Sequence, residues 1–258
     1  MSTLRCPECG FKVHPNDAVC RQCGYRFRMD RFERILPFLR RPERQWENRL
    51  SLRQRLWAIL VLPSVAFWDI VREPDTRGPV LIFFGNIFVI SFFYIMMMVH
   101  VVGNSLYSLL FGWLGILPIF LLLYFLWTLI YYGFVHLIVN LAGEEGYFAE
   151  TFLLSQYSSL PFLIANTISL PLLLLIPPPI GLSFVSITNL GALLFSPVWF
   201  IVWGLSVAGY LWGAVLLAMG LRERYHFSTE KALLITLSVT LFVVVVGFIA
   251  RITIGIIT

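Results

Sequence analysis

The chain has 258 residues, 59% of them hydrophobic and 13% charged, with a mean hydropathy of +0.82 and a formal net charge of +5. A soluble domain is nearer about 45–50% apolar and about 25% charged, so the composition excludes an ordinary soluble fold and predicts an all-α polytopic membrane protein. The charge is divided: residues 1–78 carry 15 Lys+Arg against 9 Asp+Glu, a balance of +6, and residues 79–258 carry 4 against 5, a balance of −1.

The N-terminus is polar and bears cysteines, unlike a basic-then-apolar leader, so no cleaved signal segment is expected. Cys6-Pro-Glu-Cys9-Gly and Cys20-Arg-Gln-Cys23-Gly are two Cys-x-x-Cys pairs, each followed by glycine. Two thiolates at this spacing can curl round one metal ion, and the glycine permits the tight turn behind the second sulfur. Cys6, Cys9, Cys20 and Cys23 then form a closed tetrahedral site suited to structural zinc, with no open position for catalysis. His14 reads as a surface residue outside that set. The rival reading, a pair of disulfides, requires an oxidising compartment. The pattern over residues 4–26 resembles the short zinc-ribbon modules at the ends of many prokaryotic proteins. A module this small lacks a core, so the metal supplies its folding energy. Residues 1–28 are therefore read as a zinc ribbon that serves as a docking or spacing element.

Residues 29–54 form a basic amphipathic linker. Phe32, Ile35, Leu36 and Leu39 have helical spacing, which predicts a helix on an anionic membrane face, although Pro37 opposes one continuous helix. Leu52–Val71 is broken by Pro63 and flanked by Arg53, Arg55, Asp69 and Arg72. It predicts an interfacial helix whose tryptophans sit among headgroups.

The membrane domain, 55–258, is predicted to hold five spans, at about 79–101, 116–141, 150–176, 197–219 and 231–256. Leu109–Gly115 is read as a shallow or re-entrant piece before the second span. Pro161 and Pro171 fall inside the third, and Pro177-Pro178-Pro179 ends it. Between Arg77 and Arg222 the only formally charged side chains are Glu144, Glu145 and Glu150. With the N-terminus in the cytoplasm of a cell-membrane protein and the C-terminus outside, the inward segments are the basic head, this acidic turn and Gly220–Lys231. Both outward loops are uncharged, and only Arg251 falls outward. That is the positive-inside asymmetry.

Three stretches together are similar to the Yip domain, the domain of the Ypt-interacting proteins. Leu62-Pro-Ser-Val-Ala-Phe-Trp-Asp-Ile70 resembles its entry. Asn140-Leu-Ala-Gly-Glu-Glu-Gly-Tyr-Phe-Ala-Glu-Thr151, running to Tyr157-Ser-Ser-Leu-Pro161, resembles its central signature. Gly220-Leu-Arg-Glu-Arg-Tyr-His-Phe-Ser-Thr-Glu-Lys-Ala232 resembles the segment between its fourth and fifth spans. The likeness covers about residues 55–256. It implies a five-helix integral membrane protein with a cytoplasmic N-terminus. Eukaryotic relatives are linked to vesicle traffic and bind prenylated Rab-type GTPases. A zinc-ribbon head is unlike those relatives and resembles a prokaryotic arrangement.

The amide and imidazole groups of the apolar region are Asn86, His100, Asn104, His136, Asn140, Gln156, Asn166 and Asn189. Such groups at membrane depth usually face the bundle and find partners. His136 and Asn140, four residues apart, share a helix face. With Glu144, Glu145 and Tyr157 they make a candidate polar cluster, either a proton- or cation-binding site or a helix end bonded to its own turn. Ser155, Gln156, Tyr157, Ser158 and Ser159 form a collar before Pro161, whose hydroxyls either repair the proline kink or line a polar path. Gly209-Tyr-Leu-Trp-Gly213 lets a second helix approach, within the chain or in a homo-oligomer. Ser228 is placed to cap the last span, with Glu230 in its first turn.

No phosphate loop, nucleophile elbow or His-Glu-x-x-His pattern is present in the sequence, and no enzyme activity is expected. The leading functional expectation is a membrane scaffold or adaptor that recruits a cytosolic or membrane partner, such as a small GTPase, against the lipid bilayer. The alternative is a small-solute or ion transporter using His136–Glu145. A third reading, a regulator whose head touches nucleic acid, is disfavoured by a head with only five basic residues against two acidic up to Arg28.

Overall fold

The structure, a computed structural model, describes residues 4–6, 9–13, 20, 22, 25, 34–40, 49–102, 106–143, 146–173 and 197–257, and the architecture below is that of these residues. Two short strands, β1 (Leu4–Arg5) and β2 (Lys12–Val13), pair antiparallel, with Leu4 opposite Val13 and Arg5 opposite Lys12. A 3₁₀ turn follows at Pro37–Leu39. The rest is helical: α1 (Leu52–Val61), α2 (Pro63–Arg72), α3 (Arg77–Val102), α4 (Leu106–Leu141), α5 (Phe148–Ser158), α6 (Leu160–Leu173), α7 (Pro197–Tyr225) and α8 (Thr229–Ile257).

The breaks between helices have local causes. Ser51 starts α1 with a capping box: its backbone N–H donates to Gln54 Oε1 at 2.9 Å, and its hydroxyl accepts from the Gln54 amide. Pro63 cannot continue α1 but suits the first position of α2. Gly143 lies just past α4 at φ +88, the left-handed conformation that ends helices and favours glycine. Ser228 Oγ accepts from the Lys231 amide at 3.2 Å, and Glu230 lies in the first turn of α8.

Three helices are long and apolar enough to cross a membrane alone: Leu117–Leu141, Pro197–Tyr225 and Thr229–Val246. A fourth arises if Pro63–Arg72 and Arg77–Phe93, bent by 119° at their junction, are taken as one broken span. Among the described residues there are thus three or four candidate spans, where five were expected over the whole chain. The expected third span is divided at Ser159 into α5 of 11 residues and α6, which is described for 14 residues up to Leu173. Its predicted end at Ile176 and the triple proline lie outside the described residues. Leu109–Gly115 is not a separate shallow piece. It belongs to α4, which runs unbroken through Pro118 because no charge or cap interrupts its apolar sequence.

The core gathers side chains from most helices, among them Phe67 and Ile70 of α2, Val135 of α4, Leu154 of α5 and Leu216 of α7. The linker differs from the expected surface helix. Its described part, 34–40, ends in the Pro37–Leu39 turn. There Leu39 is buried and the ring of Phe38 lies 5.6 Å from that of Trp212. Pro37 has no N–H to continue a helix, and burial of Leu39 turns the segment inward. Ile35 stays exposed, and Phe32 lies outside the described residues.

Candidate metal centre and polar clasp

Two sites emerge, one in the N-terminal hairpin and one at the end of the helices that meets α1 and α2. In the hairpin, the Cys6 amide donates to Phe11 O at 2.8 Å and the Gly10 amide to Cys6 O at 2.9 Å, with Gly10 at φ +71. This is a tight turn that folds Cys9 back on Cys6. The Cys20 amide donates to Tyr25 O at 2.7 Å. The ligand atoms of Cys6, Cys9 and Cys20 all lie within 4.8 Å of one another, and the Cys9 and Cys20 sulfurs are 3.6 Å apart. Sulfurs about 2.3 Å from a tetrahedral zinc stand about 3.8 Å from each other, so the three positions fit a shared metal. A disulfide needs about 2.05 Å. Cys23, the fourth expected ligand, and His14 lie outside the described residues.

The second site begins at Arg55. It shares the inward face of α1 with Ile59, one turn away, and both are fully buried. Arg55 Nε donates to Asp69 Oδ2 of α2 at 2.6 Å, and its Nη1 pairs with Asp75, in the link to α3. Asp75 Oδ1 also accepts from the Tyr157 hydroxyl of α5 at 2.8 Å and from the Gly78 amide at 3.1 Å. Gly78 is required here: a Cβ at that position would stand 2.2 Å from the Tyr157 hydroxyl. Burial raises the cost of the Asp75 charge, but the Gly78 amide, the Tyr157 hydroxyl and Arg55 outweigh it and hold its pKa below the ordinary carboxylate value of 3.8. The cluster ties α1, α2, the start of α3 and α5 to one another.

A second arginine closes the same layer. Arg222 of α7 is fully buried. Its Nη1 donates to Leu39 O at 2.5 Å and to Thr229 Oγ1 at 3.0 Å, and its Nη2 donates to Ser64 Oγ at 3.3 Å. Ser64 Oγ in turn donates to Phe38 O at 3.0 Å. One guanidinium thereby holds the linker, α2 and the α7–α8 turn. Beside it Arg224 grips Glu150 with two bonds, of 2.7 and 2.5 Å, and Lys231 Nζ donates to Ala142 O at 3.0 Å. The basic head's linker, the turn after α4 and the turn after α7 meet at one end of the molecule.

The expected polar cluster is divided. Asn140 Nδ2 lies 3.2 Å from His136 Nε2, and His136 Nδ1 lies 3.0 Å from Thr151 Oγ1, which is 2.9 Å from the Tyr225 hydroxyl. The two ring nitrogens of His136 thus face Asn140 and Thr151, and the tautomer sets which of them donates. Glu144 and Glu145 lie outside the described residues. Tyr157 takes a different partner, Asp75, because its helix face turns toward Gly78. Thr151 and Tyr225 complete the His136 set, and sequence spacing does not point to them. Nor does it point to the Arg55–Asp69–Asp75 cluster or to Arg222 as a bonded centre. The one signal for Arg55 is its place four residues before Ile59, on the apolar stripe of α1.

The collar serines bond to carbonyls of their own helix. Ser155 Oγ donates to Thr151 O at 2.5 Å, Ser158 Oγ to Ser155 O at 2.8 Å and Ser159 Oγ to Gln156 O at 2.8 Å. Asn86 of α3 donates to Ser159 Oγ at 3.1 Å, and Asn166 of α6 accepts from Ser206 of α7 at 2.9 Å. Asn104 and Asn189 lie outside the described residues, as does the side chain of His100. Gly209 and Gly213 face α5 and α6 within the chain. A Cβ on Gly209 would meet Phe162 Cα at 2.9 Å, and one on Gly213 would meet Ser158 O at 2.8 Å.

No curated protein and no solved structure matches the chain. The family model of the Yip1 domain matches residues 57–251, a range that begins within α1 and ends within α8 and takes in Asp69, Asp75, Tyr157 and Arg222. The chain belongs to the Yip1 domain family.

Proposed function

We propose that the protein is a non-enzymatic, five-span membrane scaffold of the Yip1 family that recruits a cytosolic or membrane partner through its N-terminal head. The observation that carries this reading is the family match over residues 57–251. The clasp supports it. Arg55, Asp69, Asp75, Arg222, Arg224 and Glu150 bond to groups of the chain itself, an arrangement that builds a fixed platform. In this reading α5 and α6 together form the third span. The linker, the turn after α4 and the turn after α7 are cytoplasmic, as the basic balance of residues 1–78 requires.

The head holds one structural zinc through Cys6, Cys9, Cys20 and Cys23. The mutual reach of the first three sulfurs supports this. Zinc bound there crosslinks the two turns of the ribbon, and the residues around it present the docking surface. The partner class, a small GTPase or another membrane protein, follows from the family likeness. A homo-oligomer would use a face other than Gly209 and Gly213, which already pack inside the chain.

The test is affinity capture of the full chain in detergent, with and without residues 1–28, read by mass spectrometry. A specific partner lost on deletion supports recruitment by the head; an interaction set unchanged by the deletion overturns it. A second reading, a transporter working through His136–Glu145, is favoured by the Asn140–His136–Thr151–Tyr225 hydrogen-bond chain. Solute or ion flux in reconstituted vesicles, abolished by Glu144→Gln, would select it over the scaffold.

A further inference from the structure

The outer face of α1 is apolar, exposed and framed by arginine. Trp57 is 67% exposed, Val61 53% and Leu62 54%, and Leu60 is also exposed. Trp57, Leu60 and Val61 stand at i, i+3 and i+4, one stripe of the helix. Arg53, one turn before Trp57 on that stripe, is exposed too. The opposite stripe is the buried one of Arg55 and Ile59. The inward arginine is thus neutralised by Asp69 and Asp75, while the outward one has no carboxylate on its own helix. The neighbouring helix repeats the combination, with the Arg72 guanidinium 4.0 Å over the ring of Trp68.

Orientation determines what this face meets. α2 is bent by 119° from the first part of α3, so it runs within about 30° of the plane perpendicular to that helix. If α3 stands along the bilayer normal, as a span must roughly do, α2 lies close to the bilayer plane, and α1 is bonded to Asp69 of α2 through Arg55. A helix in that plane with tryptophan and leucine on one side and arginine beside them has the composition of an interfacial anchor. The sequence predicts an interfacial position both for Leu52–Val71 and for the linker, and the linker is instead drawn inward at Leu39.

We infer that the outer face of α1 docks on an anionic phospholipid surface, with Trp57, Leu60, Val61 and Leu62 at the headgroup–acyl boundary and Arg53 against lipid phosphate. This rests on the multi-span reading above. Charge complementarity selects the occupant: residues 1–78 carry the +6 balance of the chain, and each arginine near an anionic leaflet strengthens binding about fivefold. The Arg55 clasp then sets how deep the face sits, because it fixes α1 on the ends of the spans.

The experiment uses the full chain in lipid nanodiscs of zwitterionic phosphatidylcholine, alone or mixed with anionic phosphatidylglycerol, with bromine on the lipid chains near the glycerol. The expected result is that bromolipid quenches Trp57, read as the difference between the wild type and Trp57→Phe. The quenching should be stronger with the anionic mixture, and Arg53→Gln should reduce that anionic preference about fivefold. Melting curves of both variants should match the wild type, since neither residue touches the clasp. If Trp57 is instead quenched by aqueous acrylamide and untouched by bromolipid, while Trp127 and Trp203 still respond to bromolipid, the face looks at the cytosol and serves a protein partner; the proposal is then wrong and the multi-span reading survives. If no tryptophan responds to bromolipid, both fail. An anionic preference unchanged by Arg53→Gln removes arginine from the site and overturns the lipid assignment.

Discussion

Gly78 has no side chain, yet its position decides whether Asp75 and Tyr157 can meet. Any Cβ there would stand 2.2 Å from the Tyr157 hydroxyl. Gly78→Ala must push Tyr157 off Asp75, and the expected loss is about 1–3 kcal/mol of thermal stability in detergent. Tyr157→Phe, which only deletes the bond, should cost about 1 kcal/mol. Acid tests the same group. Asp75 has a folded pKa below its unfolded value. Its contribution is therefore complete above the unfolded pKa near 4 and is lost as pH falls through the folded one. A melting-temperature series below pH 5 should show a decline that Asp75→Asn largely removes. A decline unchanged in the variant would place the acid-labile group elsewhere.

At the scale of elements, two neighbouring arginines on α7 make opposite forecasts. Arg222 is buried and serves Leu39, Thr229 and Ser64 from one guanidinium. Arg222→Met leaves those buried acceptors without their donor and should cost about 3 kcal/mol or more. It should also free the linker, so limited proteolysis beside Leu39 would accelerate. Arg224 grips Glu150 with two bonds, but both side chains are about one-third exposed. Water and salt screen that pair, and Arg224→Gln should cost only about 0.5–1 kcal/mol. Equal losses in a denaturation assay would contradict the burial assignment. Helix packing gives a third forecast. Gly213→Val drives a side chain into Ser158 O, 2.8 Å from the site of its Cβ, and should open α7 from α5 at a cost of about 1–3 kcal/mol or more. Intramolecular crosslinking between the two helices would register the change.

At the scale of the whole molecule, an N-terminal hairpin that brings Cys6, Cys9 and Cys20 together precedes helices that fold by packing. The two parts should respond independently. A zinc chelator, or Cys20→Ser, is expected to remove one equivalent of metal per chain and make residues 1–28 protease-sensitive. The melting of the helical part should stay within about 1 °C, since the helices are held by their own core and clasp. Atomic absorption on the purified chain, paired with proteolysis, reads both effects. Metal absent from the native chain would end the zinc assignment.

Much of this organisation is legible in the amino-acid sequence. The apolar composition, the Cys-x-x-Cys spacing, the Ser228 cap, the glycine at 143 and the three family stretches all depend on neighbours a few residues apart in the chain, and local periodicity and turn chemistry report such neighbours directly. The His136–Asn140 pair belongs to the same class, being one helical turn. Tertiary structure alone determined which distant groups share a layer. Arg55 reads as a flanking surface charge until α2 folds back and brings Asp69 to it, and Arg222 reads as a positive-inside loop residue until the linker lays Leu39 O across it. Tyr157 could not be assigned to Asp75, 82 residues away, from spacing. The division of the third apolar segment at Ser159 lies two residues before Pro161, which has no N–H to donate to the preceding turn, so hydropathy misses the break and the proline marks it. Sequence by itself determined the class of molecule, the cysteine spacing and the family, because composition and short-range order carry them. The charged clasp, the inward-drawn linker and the face of α1 left to the outside were decided by packing, because each pairs groups that only the folded chain brings into reach.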